Sequence, residues 1–102
     1  MAKTRVELQT LLEEILGSRN VYYQPPESIK LKYPAIIYYL NDIDIERADN
    51  GSYIKNKRYM ITHINKDPDN EITDRLAELP MCSFDRRYAV DNLTHDVFTL
   101  YF

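Results

Sequence analysis

Tryptophan is absent from the sequence, cysteine occurs once and glycine twice. Each scarcity closes off a class of chemistry or architecture. A single cysteine, Cys82, leaves no intramolecular disulfide, so the fold rests on burial and hydrogen bonding. With only Gly17 and Gly51, neither the Walker phosphate loop nor the dinucleotide-binding glycine fingerprint can be written. No apolar run approaches the roughly 20 residues of a membrane-spanning helix. The opening Met-Ala-Lys-Thr-Arg lacks the apolar core of a secretory signal. Together these point to a protein without a membrane partner that acts, at least initially, in the cytoplasm. An excess of positive charge is missing too, since 13 Lys and Arg stand against 16 Asp and Glu, a formal net charge of −3. Phosphate binding needs clustered cations. The nearest approaches, Lys55 with Lys57 and Arg58 and the pair Arg86-Arg87, read as solvated strand faces.

What the chain does contain is enough for one domain spanning 1–102. Hydrophobic residues make up 44% and charged residues 28%, the balance of a chain that folds. A chain this short buries about two-thirds of its unfolded surface, so one sheet and one or two helices are the limit. A deep substrate pocket would have to be cut from that same core. Tyrosine is over-used, with nine against three Phe. An apolar ring with a polar tip suits half-buried strands and protein interfaces.

Val6, Leu8, Leu11, Leu12, Ile15 and Leu16 recur at helical spacing, predicting an amphipathic helix over 4–16. Thr4 with Glu7 has capping-box spacing, and Gly17 supplies a left-handed stop. Residues 20–23 are β-like, and Gln24-Pro25-Pro26 forces an extended connector. Residues 29–34 alternate but end at a proline, which reads as a loop or an edge piece. Residues 35–40 form a strand that continues through the alternating 41–47. The stretch 48–52, with Asn50-Gly51, carries the strongest turn signal, and 53–65 returns as a second long strand. On it Tyr59, Ile61 and His63 share one face, with Met60, Thr62 and Ile64 on the other. A second helix follows over 70–79, with Ile72, Leu76 and Leu79 on one stripe and Pro80 as its stop. Two last strands, 81–89 and 95–102, are joined by 91–94 as a hairpin loop. The fold class is therefore α+β: a mainly antiparallel sheet with a long protruding β-hairpin and two helices packed on one face, in the order α-β-β-β-α-β-β. The outer part of the hairpin exceeds what so small a core needs. A two-stranded arm is marginal alone in water and usually rests on another subunit.

The residues that carry chemistry elsewhere are sparse here. His63, Cys82, His95 and Asp96 are the only candidates for a metal site, yet no CxxC, HExxH or HxH spacing occurs. Cys82 with His63 or His95 is the only pairing available for nucleophilic catalysis. Free Cys is commonly a small buried hydrophobe, His63 a packed or surface strand histidine, and His95-Asp96 a polar pair beside a turn. Asp42, Asp44, Glu46 and Asp49 read as solvated charges that discourage stray strand pairing.

Several segments resemble small proteins of long-tailed phages and prophages of Gram-positive bacteria. They are Asn20-Val21-Tyr22-Tyr23-Gln24-Pro25-Pro26, Tyr33-Pro34-Ala35-Ile36-Ile37-Tyr38 and Lys57-Arg58-Tyr59-Met60-Ile61-Thr62. Asp67-Pro68-Asp69 before the second helix, Leu79-Pro80-Met81-Cys82-Ser83-Phe84-Asp85-Arg86 and Asp91-Asn92-Leu93-Thr94-His95-Asp96-Val97-Phe98 complete the pattern. The nearest class is the tail terminator, also called the tail completion protein, which joins head and tail. The resemblance covers nearly all the chain and rests on sequence texture and element order. It implies a homo-oligomeric ring, typically a hexamer, that caps the tail tube and presents a surface to the head or neck connector proteins. The virion's tail–head junction would be its location, after assembly in the cytoplasm of the bacterial host. DNA would pass through a lumen, where like-charge repulsion lets it slide. The class implies no cofactor and no catalysis, and it has no shared active-site motif to carry over. The hairpin tip around Arg47, Asp49, Asn50 and Tyr53 is the expected contact with a neighbouring subunit or the tube.

Three other readings stay open on the sequence. One is another neck component, a head-completion, stopper or adaptor protein. Another is a small hydrolytic enzyme using Cys82 or the histidines. The third is a nucleic-acid-binding regulator, against which the acidic balance and the lack of a basic helix both count.

Overall fold

A computed structural model describes residues 4–25, 30–48 and 51–102. Seven elements follow one another: α1 (Arg5–Leu16), β1 (Val21–Tyr23), β2 (Ala35–Ala48), β3 (Gly51–Asn65), α2 (Glu71–Ala77), β4 (Cys82–Val90) and β5 (Leu93–Tyr101). The strands make one sheet in the order β1-β2-β3-β5-β4. β1 runs parallel to β2, and every other neighbouring pair is antiparallel. The fold is α+β, as the order of periodicities predicts.

Both helices lie on one face of the sheet. Cross-strand partners share a face, so the pairing register sorts the side chains into rows. Ile36, His63, Asp96 and Arg87 form one row, Tyr38, Ile61, Phe98 and Phe84 the next, and Leu40, Tyr59, Leu100 and Cys82 a third. Leu8, Leu12 and Leu16 of α1 and Leu76 of α2 close over these rows and complete the core with Val21, Ile36, Tyr38, Tyr59, Ile61, Phe98 and Leu100. We call this the covered face. The open face carries Ile37, Thr62 and Val97 in one row and Tyr39, Met60 and Thr99 in another.

Local chemistry fixes the helices. The Thr4 side chain accepts from the Glu7 N–H at 3.3 Å, and Gly17 takes φ 79°, where its N–H reaches the Glu13 carbonyl at 2.9 Å. Glycine, without a Cβ, enters that region at the lowest cost. Polar bonds then fasten α1 to the strands it covers. The Tyr38 hydroxyl donates to Gln9 Oε1, Gln9 Nε2 donates to the Val21 carbonyl at 3.0 Å, and the Arg5 guanidinium sits 4.7 Å from the Tyr23 ring centre. α2 starts at Asn70, whose side chain accepts from the Thr73 N–H at 3.0 Å. It stops at Ala77, short of the predicted Leu79, because Glu78 already closes it. Leu79 still packs against the core from the following turn.

Two further boundaries differ from the sequence reading. The β4–β5 connection is two residues, Asp91 and Asn92, at φ 53° and 63°. Consecutive positive φ values are the signature of the tight type I′ hairpin turn, so Leu93 and Thr94 belong to β5. Met81 takes φ 63° and precedes β4 instead of opening it. Of the predicted loop or edge piece, Ile29 lies outside the described residues. The stretch 30–34 carries no strand and contains a cis Tyr33-Pro34 bond.

The β2–β3 hairpin outgrows its neighbours. β1 reaches only Ile36 to Tyr38 of β2, and β5 only Arg58 to Asn65 of β3. Beyond them, apart from the Phe102 N–H that donates to the Lys57 carbonyl at 2.9 Å, the two strands pair among the described residues only with each other and form an arm. The molecule measures 52 × 29 × 23 Å. Asp49 and Asn50, at the predicted turn, lie outside the described residues.

Leu12 is wholly buried between α1 and the sheet. Leu12→Ala should cost about 3 kcal/mol, the usual loss when a buried leucine leaves a cavity, measured by urea unfolding. A loss below about 1 kcal/mol would show that α1 is not part of the core.

Candidate interaction surfaces and the buried polar cluster

Strand alternation carries His63 onto the covered face, where its cross-strand partner is Asp96 of β5. Both are essentially inaccessible, at 0% and 1% exposure. The first turn of α2 sets Thr73 above them, and β4 brings Arg87 from the side. The Thr73 hydroxyl donates to Asp96 Oδ2 at 2.6 Å. Arg87 donates through Nε to Oδ1 at 2.5 Å and through Nη2 to Oδ2 at 3.0 Å. The single hydroxyl proton of Thr73 is spent on Asp96, so its oxygen is left to accept from His63 Nδ1 at 3.4 Å. His63 Nε2 then accepts from the Asn65 amide at 3.5 Å. Every proton has a place when the imidazole is neutral.

The electrostatics agree. Burial is the main cause that lowers His63 to about 4, with the Asp96 charge opposing and Arg87 assisting. Burial pushes Asp96 the other way, but the hydrogen bonds from Arg87 and Thr73 and the Arg87 charge outweigh it. Its carboxyl is held below the usual range. The cluster ties α2 to three strands and leaves no buried side-chain polar atom unpartnered among the described residues. With its histidine and carboxylate buried, it offers neither to a substrate.

Two sequence expectations are corrected here. Asp96 is not a polar residue beside a turn, because the tight Asp91-Asn92 turn moves it well inside β5. Arg87 does not lie on a solvated face with Arg86, because adjacent strand residues point to opposite faces and Arg87 points to Asp96.

Among the described residues, Cys82 is not brought together with either histidine. Cys82 is half-buried opposite Leu100 on the covered face, and burial pushes its thiol up to about 11. A thiolate is therefore scarce near neutral pH. His95 stands on the open face, stacked on Tyr88 at 4.7 Å and 12°. The sheet thus separates Cys82 from His95, and the His63 row lies two rows from that of Cys82. Among the described residues no three His, Cys, Asp or Glu side chains converge as a metal site, and no helix is long and apolar enough to cross a membrane.

The exposed surfaces are more distinctive. At the base of the arm, the β2–β3 register shifts between Leu40 and Asp42. Asn41 is the extra residue, and the bulge reverses which parity faces which side. Asp42, Asp44 and Glu46 therefore continue the open face, while Ile43 and Ile45 continue the covered face beyond the helices, 38% and 50% exposed. Arg58 secures this base. With the Asn41 amide oxygen turned toward it, Arg58 donates from Nε and Nη2, both at 3.2 Å, and its Nη2 lies 3.7 Å from Asp42 Oδ2. A second shift, between Asp44 and Ile45, leaves Lys55 as the extra residue on β3.

Of the residues expected at the arm tip, Arg47 is exposed on β2 opposite Ser52. The Tyr53 backbone pairs with Glu46, and its side chain is outside the described set. Asp49 and Asn50 are outside it altogether.

Sequence reasoning missed β4 as a surface. It is the sheet's long edge strand, with Phe84 54%, Tyr88 41% and Val90 49% exposed. One signal was present. The charged centre Asp85-Arg86-Arg87 is typical of an edge strand. Compared with protein-family models and with curated protein sequences, the chain matches none.

Two outcomes test the cluster. The unfolded chain protonates its histidine near 6.5 while folded His63 resists until about 4. Stability is therefore full above pH 6.5 and falls as pH drops toward 4, by on the order of 3 kcal/mol. His63→Gln should flatten that slope in urea titrations at stepped pH, whereas an unchanged slope would assign it to other groups. Arg87→Ala leaves a buried carboxylate with only Thr73. It should cost about 2 kcal/mol at pH 7, less than for a wholly buried pair because Arg87 is partly exposed, with thermal unfolding as the readout.

Proposed function

We propose that the chain is a structural assembly protein of the tail-terminator type and works without a catalytic step. Copies form a ring, a hexamer in that class, on the end of a phage tail tube and connect it to the neck proteins of the head. DNA passes through the ring's lumen. The protein is made in the bacterial cytoplasm and resides in the virion at the tail–head junction.

The observation that carries this reading is the arm. Two paired strands leave the body with isoleucines exposed on one side and carboxylates on the other, and no element of the described chain supports them. An isolated two-stranded ribbon gains too little from its own contacts to hold a fixed shape in water. Such a ribbon is economical only when another subunit completes it. The packing of His63, Cys82 and His95 supports the non-catalytic part, since each has a structural role that accounts for its chemistry. The nine tyrosines add to the case, because several of them, including Tyr39, Tyr88 and Tyr101, remain exposed on the open face.

Light scattering of the purified protein, alone and with tail-tube protein, tests the reading. A closed oligomer, alone or on tube ends, is the expected result, and a monomer that ignores the tube would remove it. Replacing Arg47 and Tyr53 together with Ala should weaken tube capping roughly tenfold or more while the far-ultraviolet circular dichroism stays unchanged.

A further inference from the structure

We propose that the outer half of β2 in one copy adds as a strand to the β4 edge of a second copy, so that the sheets of successive copies join head to tail. This deepens the assembly reading by naming the surface that receives the arm. Both edges are open among the described residues. β4 pairs only with β5, and beyond Tyr38 the side of β2 away from β3 has no neighbouring strand. Each edge thus presents a row of backbone donors and acceptors without a strand partner, which is the template for strand addition.

Length, direction and side-chain chemistry all match. β4 has nine residues, about 30 Å at roughly 3.3 Å per residue, and residues 40–48 span the same length. Within the sheet β2 and β4 run in opposite directions, since three antiparallel steps separate them. A second copy in the same orientation therefore meets β4 with an antiparallel β2.

The faces match as well. On the open side, Asp42, Asp44 and Glu46 come beside Arg86. That arginine bonds Asp85 at 3.1 Å, yet its side chain is 64% exposed, which leaves its fork available to a second carboxylate. On the covered side, Ile43 and Ile45 come beside Phe84, which lies at the outer end of the covered rows. The charges that remain exposed are complementary: Asp44 and Glu46 outnumber Arg47 on the arm strand, where Asp42 already faces Arg58, and Arg86 is the exposed cation of β4, where Arg87 is held by Asp96. The bulge at Asp85 and the central charges deter indiscriminate strand pairing, and a matched acidic strand is what they admit.

The contact is heterologous, using two different surfaces of each chain, so it closes into a ring or grows without limit. Because the outer half of β2 lies beyond the body, successive copies are staggered along their strands. A closed ring then needs strands inclined to its axis, as in a barrel.

Mixing two variants tests this. Arg86→Glu spoils the β4 surface and keeps the arm, while Ile43→Asp with Ile45→Asp spoils the arm and keeps β4, and the two spoiled surfaces repel each other. All three positions are exposed, so each variant should keep the wild-type circular dichroism. Wild type is expected to associate with rising concentration in light scattering. Each variant alone should associate at least roughly tenfold more weakly, and an equimolar mixture should form a 1:1 complex that grows no further. An arm variant that assembles like wild type, a mixture that stays monomeric, or a wild type still monomeric at about 1 mM would each overturn the proposal. Tube capping by Arg86→Glu as efficient as wild type would overturn the edge pairing and leave the assembly reading standing.

Discussion

The pairing of β2 with β3 is the constraint on which the rest of the molecule depends. Its inner half supplies the middle of the sheet, the rows onto which both helices close. Its outer half has no such cover, yet it is continuous with the inner half and inherits its direction. A rigid, packed root therefore holds a ribbon that the body does not otherwise support. Arg58 stands where the two regimes meet, bonded to the Asn41 bulge and close to Asp42.

Coverage on one side is the second theme. Two helices, one of seven residues, are too small to cover five strands. α1 is fastened by Gln9 and Tyr38 as well as by its leucines. α2 is too short to hold by apolar contact alone, and it sits on the cluster of His63, Thr73, Asp96 and Arg87. Buried ionic groups seldom add net stability over an apolar core. Here they fix where a short helix lies. The open face and the β4 edge lie outside the reach of both helices.

Much of the fold was legible because its signals are local. The leucine spacing of α1, the cap at Thr4, the stop at Gly17 and the alternation of the long strands each act within a few residues. The type I′ turn at Asp91-Asn92 is harder to read, because the apolar alternation of β5 is plain only beyond His95. The roles of Asp96 and Arg87 were not legible, since they depend on which strands become neighbours, a non-local outcome. The exposure of β4 follows from the same ordering. The arm was legible as a length, but not as a surface with two chemically distinct sides.

That two-sidedness depends on how many residues occupy the bend, not on what they are. Residues 35–40 alternate between the faces in one phase, and the extra residue at Asn41 resets the phase before the arm begins. Lineages that gained or lost one residue there would keep the body intact yet exchange the greasy and acidic flanks of the arm. Such an event would alter molecular recognition in a single step, without any substitution in the recognising side chains.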